Sequence, residues 1–183
     1  SAPGIAKARD GSPIADPDII VGVPARMQKT GGRTWIALRS FGEKGAMLHP
    51  TFRMVAGRTF RPGTHELIVG NLARFQVAGM AVGDKVTMPD GDWPIVGAFV
   101  TGDTMDGQLV GDTQTLMPSL RRKAYSTIQA RIASPAAFAT FRKALTSNPA
   151  LAVDVMLLPD WNAKTNADFA RFMNVIVYGV GII

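Results

Sequence analysis

Residues 57–100, GRTFRPGTHELIVGNLARFQVAGMAVGDKVTMPDGDWPIVGAFV, constrain this chain more than any other stretch. Two apolar runs, 66–69 (ELIV) and 93–100 (WPIVGAFV), have the length and side chains of strands, and 85–88 (KVTM) is a third. The third joins the second through Pro89-Asp90-Gly91-Asp92, and Asp-Gly between strand-like runs predicts a hairpin, because glycine accepts the positive φ of a tight turn. Gly57, Gly70, Gly83 and Gly97 mark turns or bulges, and 72–75 predicts one short helical turn. The segment is expected to be a small β-rich lobe with its own core of Leu67, Val69, Val86, Ile95, Val96 and Phe99.

The flanking chain is mixed. Residues 1–18 are rich in Pro, Gly, Ala and Asp and read as a loop with no strand. The apolar run 19–23, ended by Pro24, suits a buried strand, and 34–38 (TWIAL) a second one across the Gly31-Gly32 turn. Residues 101–111 read as the return linker from the β-rich lobe, and 113–123 have helical character that Pro118 weakens. Alternation predicts a strand at 125–132. Ser134 as N-cap, Pro135 at the first position and Phe138, Phe141 and Leu145 on one face then predict a helix, stopped by Asn148-Pro149. Leu151, Val153, Val155 and Leu157 alternate as a further strand, which makes a strand–helix–strand unit. From Asp160 to Ile183 a single helix is expected, amphipathic first and wholly apolar at its end.

With 46% hydrophobic and 19% charged residues, the chain is no disordered polymer, and its 183 residues suffice for a core. It has no cysteine, which suits an extracytoplasmic domain and a cytosolic one equally. The net charge of +6 is concentrated in residues 1–60, with nine Lys/Arg against four Asp/Glu. These cations are scattered and read as solvated surface, so no nucleic-acid partner is expected.

The chain offers no constellation for chemistry. His49 and His65 stand in loops without paired ligands and are expected to be solvent-exposed, so no metal site is predicted. Asp90, Asp92, Asp103, Asp106 and Asp112 lack calcium-loop spacing and are assigned to turns. Gly31-Gly32, Gly179 and Gly181 belong to no phosphate-binding pattern, and no serine sits in a nucleophile elbow. Hence no catalytic, cofactor-binding or metal residues are predicted. Trp35 and Trp93 are assigned to core packing, and Trp161 to an interfacial or partner contact.

Gly57-Arg58-Thr59-Phe60, Glu66-Leu67-Ile68-Val69-Gly70, Val82-Gly83-Asp84-Lys85-Val86 and Trp93-Pro94-Ile95-Val96-Gly97, in this order, resemble the periplasmic core domain of ABC-transporter permeases of the MacB/FtsX type. The resemblance implies an α+β fold. A discontinuous split-βαβ (porter-like) lobe would span 1–55 plus 112–170, an inserted β-rich lobe 56–111, and the start of a transmembrane helix 171–183. Because the first strand and helix of such a lobe would precede this chain, 125–132 and 151–157 are not expected to pair, and each should present an open edge. The apolar tail 174–183 should project from the body, with Val175, Ile176 and Val180 exposed.

The implied role is a non-enzymatic one at a bacterial inner membrane, on its periplasmic side. The domain would couple ATP-driven motion to export or extraction of a substrate. Its partners would be an ABC ATPase subunit, a second permease copy, a periplasmic adaptor or cargo protein, and the membrane through flanking helices. The competing expectation is a free-standing periplasmic ligand-binding or interaction module.

Overall fold

The structure is a computed structural model that describes residues 3–147 and 153–161. The chain divides into two units, Ile5–Arg131 and Ser1–Gly4 with Ile132–Ile183. The first unit holds strands β1 (Ala15–Asp18), β2 (Ile20–Arg26) and β3 (Arg33–Phe41), helix α1 (Gly45–Leu48), then β4 (Arg53–Gly57) and β5 (Leu67–Gly70). Helix α2 (Asn71–Gln76), β6 (Lys85–Met88), β7 (Gly91–Val100), a 3-10 turn (Thr104–Gly107), β8 (Gln108–Asp112), α3 (Thr113–Ser119) and β9 (Thr127–Ala130) follow. Helix α4 (Pro135–Thr146) belongs to the second unit. The class is α+β, as the sequence predicts.

Seven strands form one mixed sheet in the order β2-β3-β8-β5-β7-β4, with β6 also on β7. β3/β8 and β5/β7 are parallel and the other pairs antiparallel. The ten-residue β7 organises it: Gly91–Pro94 pairs with β6, and the rest takes β5 and β4. The predicted hairpin is present. Met88 faces Gly91 across the ladder, so Pro89 and Asp90 form the loop and Gly91, at φ 131°, opens the strand.

Both faces of the central strands β5, β7 and β8 are covered. Leu67, Val69, Leu109, Ile95 and Trp93 point into one core, with Ile19, Ile36, Leu38, Val86 and Leu116. Ile68, Val110, Phe99, Phe41 and Met105 form the other. A strand buried on both sides reads as an unbroken apolar run, which is why 67–69 shows no alternation. The near-total burial of Leu67, Ile68 and Val69 contributes about 1.5–3 kcal/mol each.

This sheet corrects several expectations. The segment 57–100 does not enclose a core of its own: β2 and β3, expected in the other lobe, share its sheet, and Ile19, Ile36 and Leu38 share its core. The link is β8, which lies in the centre of the sheet inside the stretch read as a linker, bonded to β3 on one side and β5 on the other. Only four residues of β8, Leu109 to Asp112, are buried, and one is Gly111, too weak a pattern to announce a central strand. The run ended by Pro24 is an edge strand through Arg26, with three of its seven residues exposed and none fully buried. Pro24 is tolerated there because an edge leaves one side of the backbone unpaired.

Residues 1–18 do supply a strand. β1, Ala-Asp-Pro-Asp, pairs antiparallel with β9. Its alternation is carried by buried Asp16 and Asp18 instead of apolar side chains. So the strand expected at 125–132 is shorter and is partnered along one side, with Tyr125 exposed. Helix α3 forms with Pro118 as the sixth of its seven residues, in the last turn, so the missing N–H removes a single helical hydrogen bond where the helix ends.

In the second unit α4 is capped as predicted, Ser134 Oγ accepting from the Ala137 N–H at 3.3 Å. Gly4 O accepts from the Ala133 N–H. The strand expected at 151–157 is not formed by 153–157, which pair with no strand; 151 and 152 lie outside the described residues. Residues 158–161, with Trp161, are helical. The apolar tail 171–183, with Val175, Ile176 and Val180, lies outside the described residues. Among the described residues no helix is long and apolar enough to cross a membrane.

Candidate functional site

Two polar clusters in the Ile5–Arg131 unit gather the side chains that carry charge and hydrogen-bonding chemistry. The first holds the β1/β9 ribbon against the large sheet. Asp18 and Arg39 form an ion pair at 2.6 Å with side chains 3% and 8% exposed. Asp18 also accepts from Thr127 Oγ1 and, at 3.2 Å, from Gln129 Nε2, both on β9. Arg39 Nε donates to Gln108 Oε1 on β8 at 3.1 Å. Asp16 accepts from the Gly42 N–H at 2.8 Å; burial raises its carboxyl above the ordinary range, against those backbone donors.

His49 completes this cluster and is not exposed. It is 5% accessible, with its ring stacked on Phe41 at 5.6 Å. Burial, and then the Arg39 charge, hold its imidazole below the ordinary 6.5. The sequence reading missed this because the residues beside His49, Pro50 and Thr51, are themselves exposed. The space between Asp16, Asp18, Phe41, His49 and Gln129 has no volume open even to a water molecule. Such a closed, satisfied network positions elements; it does not receive a substrate.

The second cluster ties the β6–β7 hairpin to α3. Asp90 Oδ1 accepts from Ser119 Oγ at 2.7 Å and from the indole N–H of Trp93 at 3.0 Å. Partial burial works to raise the Asp90 carboxyl, and these two donors outweigh it and leave it lowered. His65 lies exposed, as expected, but stacked flat on Trp93 with centroids 4.6 Å apart. A shallow cavity of about 290 Å³ is lined by His65, Pro89, Asp90, Pro118, Ser119 and Arg121. Ser119 donates to the Asp90 carboxylate and not to the imidazole, and that carboxylate, lowered below its ordinary range, is a weak base for activating a hydroxyl.

Of the other aspartates expected in turns, Asp103 and Asp106 serve the 3-10 turn, whereas Asp112 ends β8 and Asp92 lies in β7. Asp103 caps the 3-10 turn through the Met105 N–H, Asp106 accepts from the Thr101 and Gly102 N–H groups, and Asp112 from the Gly63 N–H. Among the described residues no group of three or more acidic or histidine side chains converges as for a metal ion. The tryptophans part company. Trp93 is fully buried, whereas Trp35 is 70% exposed on β3, which corrects its assignment to the core.

This fold is similar to that of solved extracytoplasmic domains of ABC-type transporters. The extracellular domain of the noncanonic ABC-type transporter YknZ from Gram-positive bacteria matches with a TM-score of 0.56 and 16% identity, over 79% of this chain and 74% of that one. The periplasmic region of MacB from Actinobacillus actinomycetemcomitans matches at 0.53 and 13% identity, over 73% of this chain and 65% of that one. A domain of a permease protein from Porphyromonas gingivalis matches at 0.50 and 13%, over 80% and 70%. No protein-family model and no curated protein sequence matches the chain.

Proposed function

We propose that this chain is the extracytoplasmic domain of an ABC-transporter permease subunit at a bacterial cell membrane. It relays ATP-driven motion from a partner ATPase to export or extraction of a substrate, through contacts with a second permease copy and an adaptor or cargo protein. The observation that carries this reading is the shared fold with the YknZ domain over 79% of the chain. The polar latch supports it: a satisfied, water-free ion pair gives a stiff joint between ribbon and sheet, as force transmission needs.

These 183 residues contain no cysteine, so with any cysteine outside them replaced by serine a single introduced one reports its own exposure. Exposed Gln114 is replaced by cysteine in the full-length protein, and cells are treated with a membrane-impermeant maleimide. Labelling in cells whose plasma membrane is intact is the expected outcome, together with co-purification of an ATP-hydrolysing subunit. Labelling that requires lysis of that membrane would overturn the reading.

A further inference from the structure

The free end of the β2–β3 hairpin is joined to the C-terminal end of α2 by backbone hydrogen bonds. Gln28 N–H donates to Gln76 O, Ala78 N–H donates to Arg26 O, and Met27 and Val77 form an isolated bridge. The two segments that meet there, 19–42 and 67–83, contain no Asp or Glu. They carry Arg26, Lys29 and Arg33 on the hairpin and Arg74 on α2. Asp84, which follows, accepts from the Ala81 N–H.

Both segments also expose large apolar side chains. Trp35 stands beside Pro24 in the register and lies over Gly22, where an added methyl would come within 3.3 Å of its ring. Phe75 is 62% exposed with the Arg74 guanidinium 4.6 Å above its ring, and the Arg74 Nε is buried without a hydrogen-bond partner. Leu72 is also exposed.

We propose that this tip docks an acidic segment of a partner protein. Carboxylates would meet Arg26, Lys29 and Arg33, and an apolar side chain would seat against Trp35. Cations without local counter-charges select an anionic partner and accelerate its encounter. Arg and Trp are protein-binding hot-spot residues, and the hairpin's three cations, Arg26, Lys29 and Arg33, fall short of the roughly 4–8 clustered Lys/Arg of a lipid-binding patch. The contact runs through side chains and not strand addition. Pro24 has no N–H to offer at the β2 edge, and Ser126, Gln76 and Ala78 occupy the backbone groups of Ile20, Gln28 and Arg26. That the partner is an adaptor or cargo protein rests on the permease reading; the surface chemistry does not.

The test uses the full 183-residue chain and a fluorescein-labelled peptide of glutamates interleaved with leucine and phenylalanine, beside its glutamine counterpart. Fluorescence anisotropy should show binding of the glutamate peptide alone, weakening with added salt. Trp35→Ala and Arg33→Glu should each reduce the affinity about thirtyfold, the size of one hot-spot loss. Lys29→Glu, in the exposed turn, does the same without touching a strand. Equal binding of the two peptides, or unchanged affinity in all three variants, would overturn the proposal. So would Trp35-dependent binding to phosphatidylglycerol vesicles with none to the peptide, which would assign the tip to a membrane. Peptide binding with maleimide labelling only after lysis would sink the extracytoplasmic reading and leave the docking surface standing.

Discussion

Asp18 exchanges nearly all its water for three side-chain donors, Arg39 on β3 and Thr127 and Gln129 on β9, none of them on its own strand. Removing one partner strands the other charge in the interior. Asp18→Ala is therefore expected to lower unfolding stability by about 3–5 kcal/mol in urea titrations, while Asp18→Leu with Arg39→Met together should recover most of the loss. If the double variant were as damaged as the single one, the ion pair would be contributing more than the desolvation it incurs. His49 supplies a pH signature. A pKa depressed in the folded state gives stability that is complete above the ordinary 6.5 and lost as pH falls through the folded value. Asp16, raised by burial, works in the opposite sense, its contribution being lost as pH rises. Arg39, Asp18, Asp103 and Gln129 surround the imidazole. Melting temperature should fall on acidification from about pH 7.5 to 5.5, and His49→Phe, which keeps the stack on Phe41, should flatten that slope. Lower still, Glu66 is held at about 2 by its bidentate bonds to Arg58, so its contribution is present above 4.5 and disappears towards 2; Glu66→Gln should remove that limb.

At the scale of elements, β7 is the strand on which β4, β5 and β6 all depend, and its approach to β4 is set by two glycines. Gly57 and Gly97 face each other in the ladder, Gly57 at φ 62°. A Cβ at Gly97 would lie 2.1 Å from Arg58 O, which is backbone and cannot swing aside. Gly97→Ala should destabilise by about 1–3 kcal/mol, at the upper end if β4 detaches, and hydrogen exchange should show lost protection in β4 before β5. The β6–β7 hairpin, by contrast, is latched by side chains: Ser119→Ala leaves Asp90 with only the Trp93 indole. About 1 kcal/mol is expected from losing that bond, with little change in the sheet.

At the scale of the molecule, the two faces of the large sheet mix residues from widely separated parts of the chain. Excising 57–100 removes β7 and β5 and leaves β8 bonded on one side only, with Ile36, Leu38 and Leu116 stripped of their partners. The remainder should show no cooperative melting transition by circular dichroism. A sharp transition there would restore the expectation of independent lobes.

What was legible in the sequence was local. Turn chemistry at Asp90-Gly91, the Ser134-Pro135 helix start, the apolar runs of β5 and β7 and the one-turn α2 are each decided by neighbours within a few residues, through φ preferences and capping. The class, α+β, follows from those elements. The ordered motifs carried the likeness to transporter domains. Tertiary structure alone decided the rest. β1 is a strand because Arg39 and the Gly42 N–H, more than twenty residues away, satisfy its carboxylates, and no local pattern encodes a donor at that distance. β8 is central because both its faces and both its edges are claimed by distant strands. His49 is buried because the chain folds Phe41 and β9 around it, whereas Trp35, equally suited to a core by its chemistry, sits on the side of β3 that nothing covers. Side-chain polarity sets the cost of burial; which side chains are buried is set by contacts that only the assembled sheet brings about.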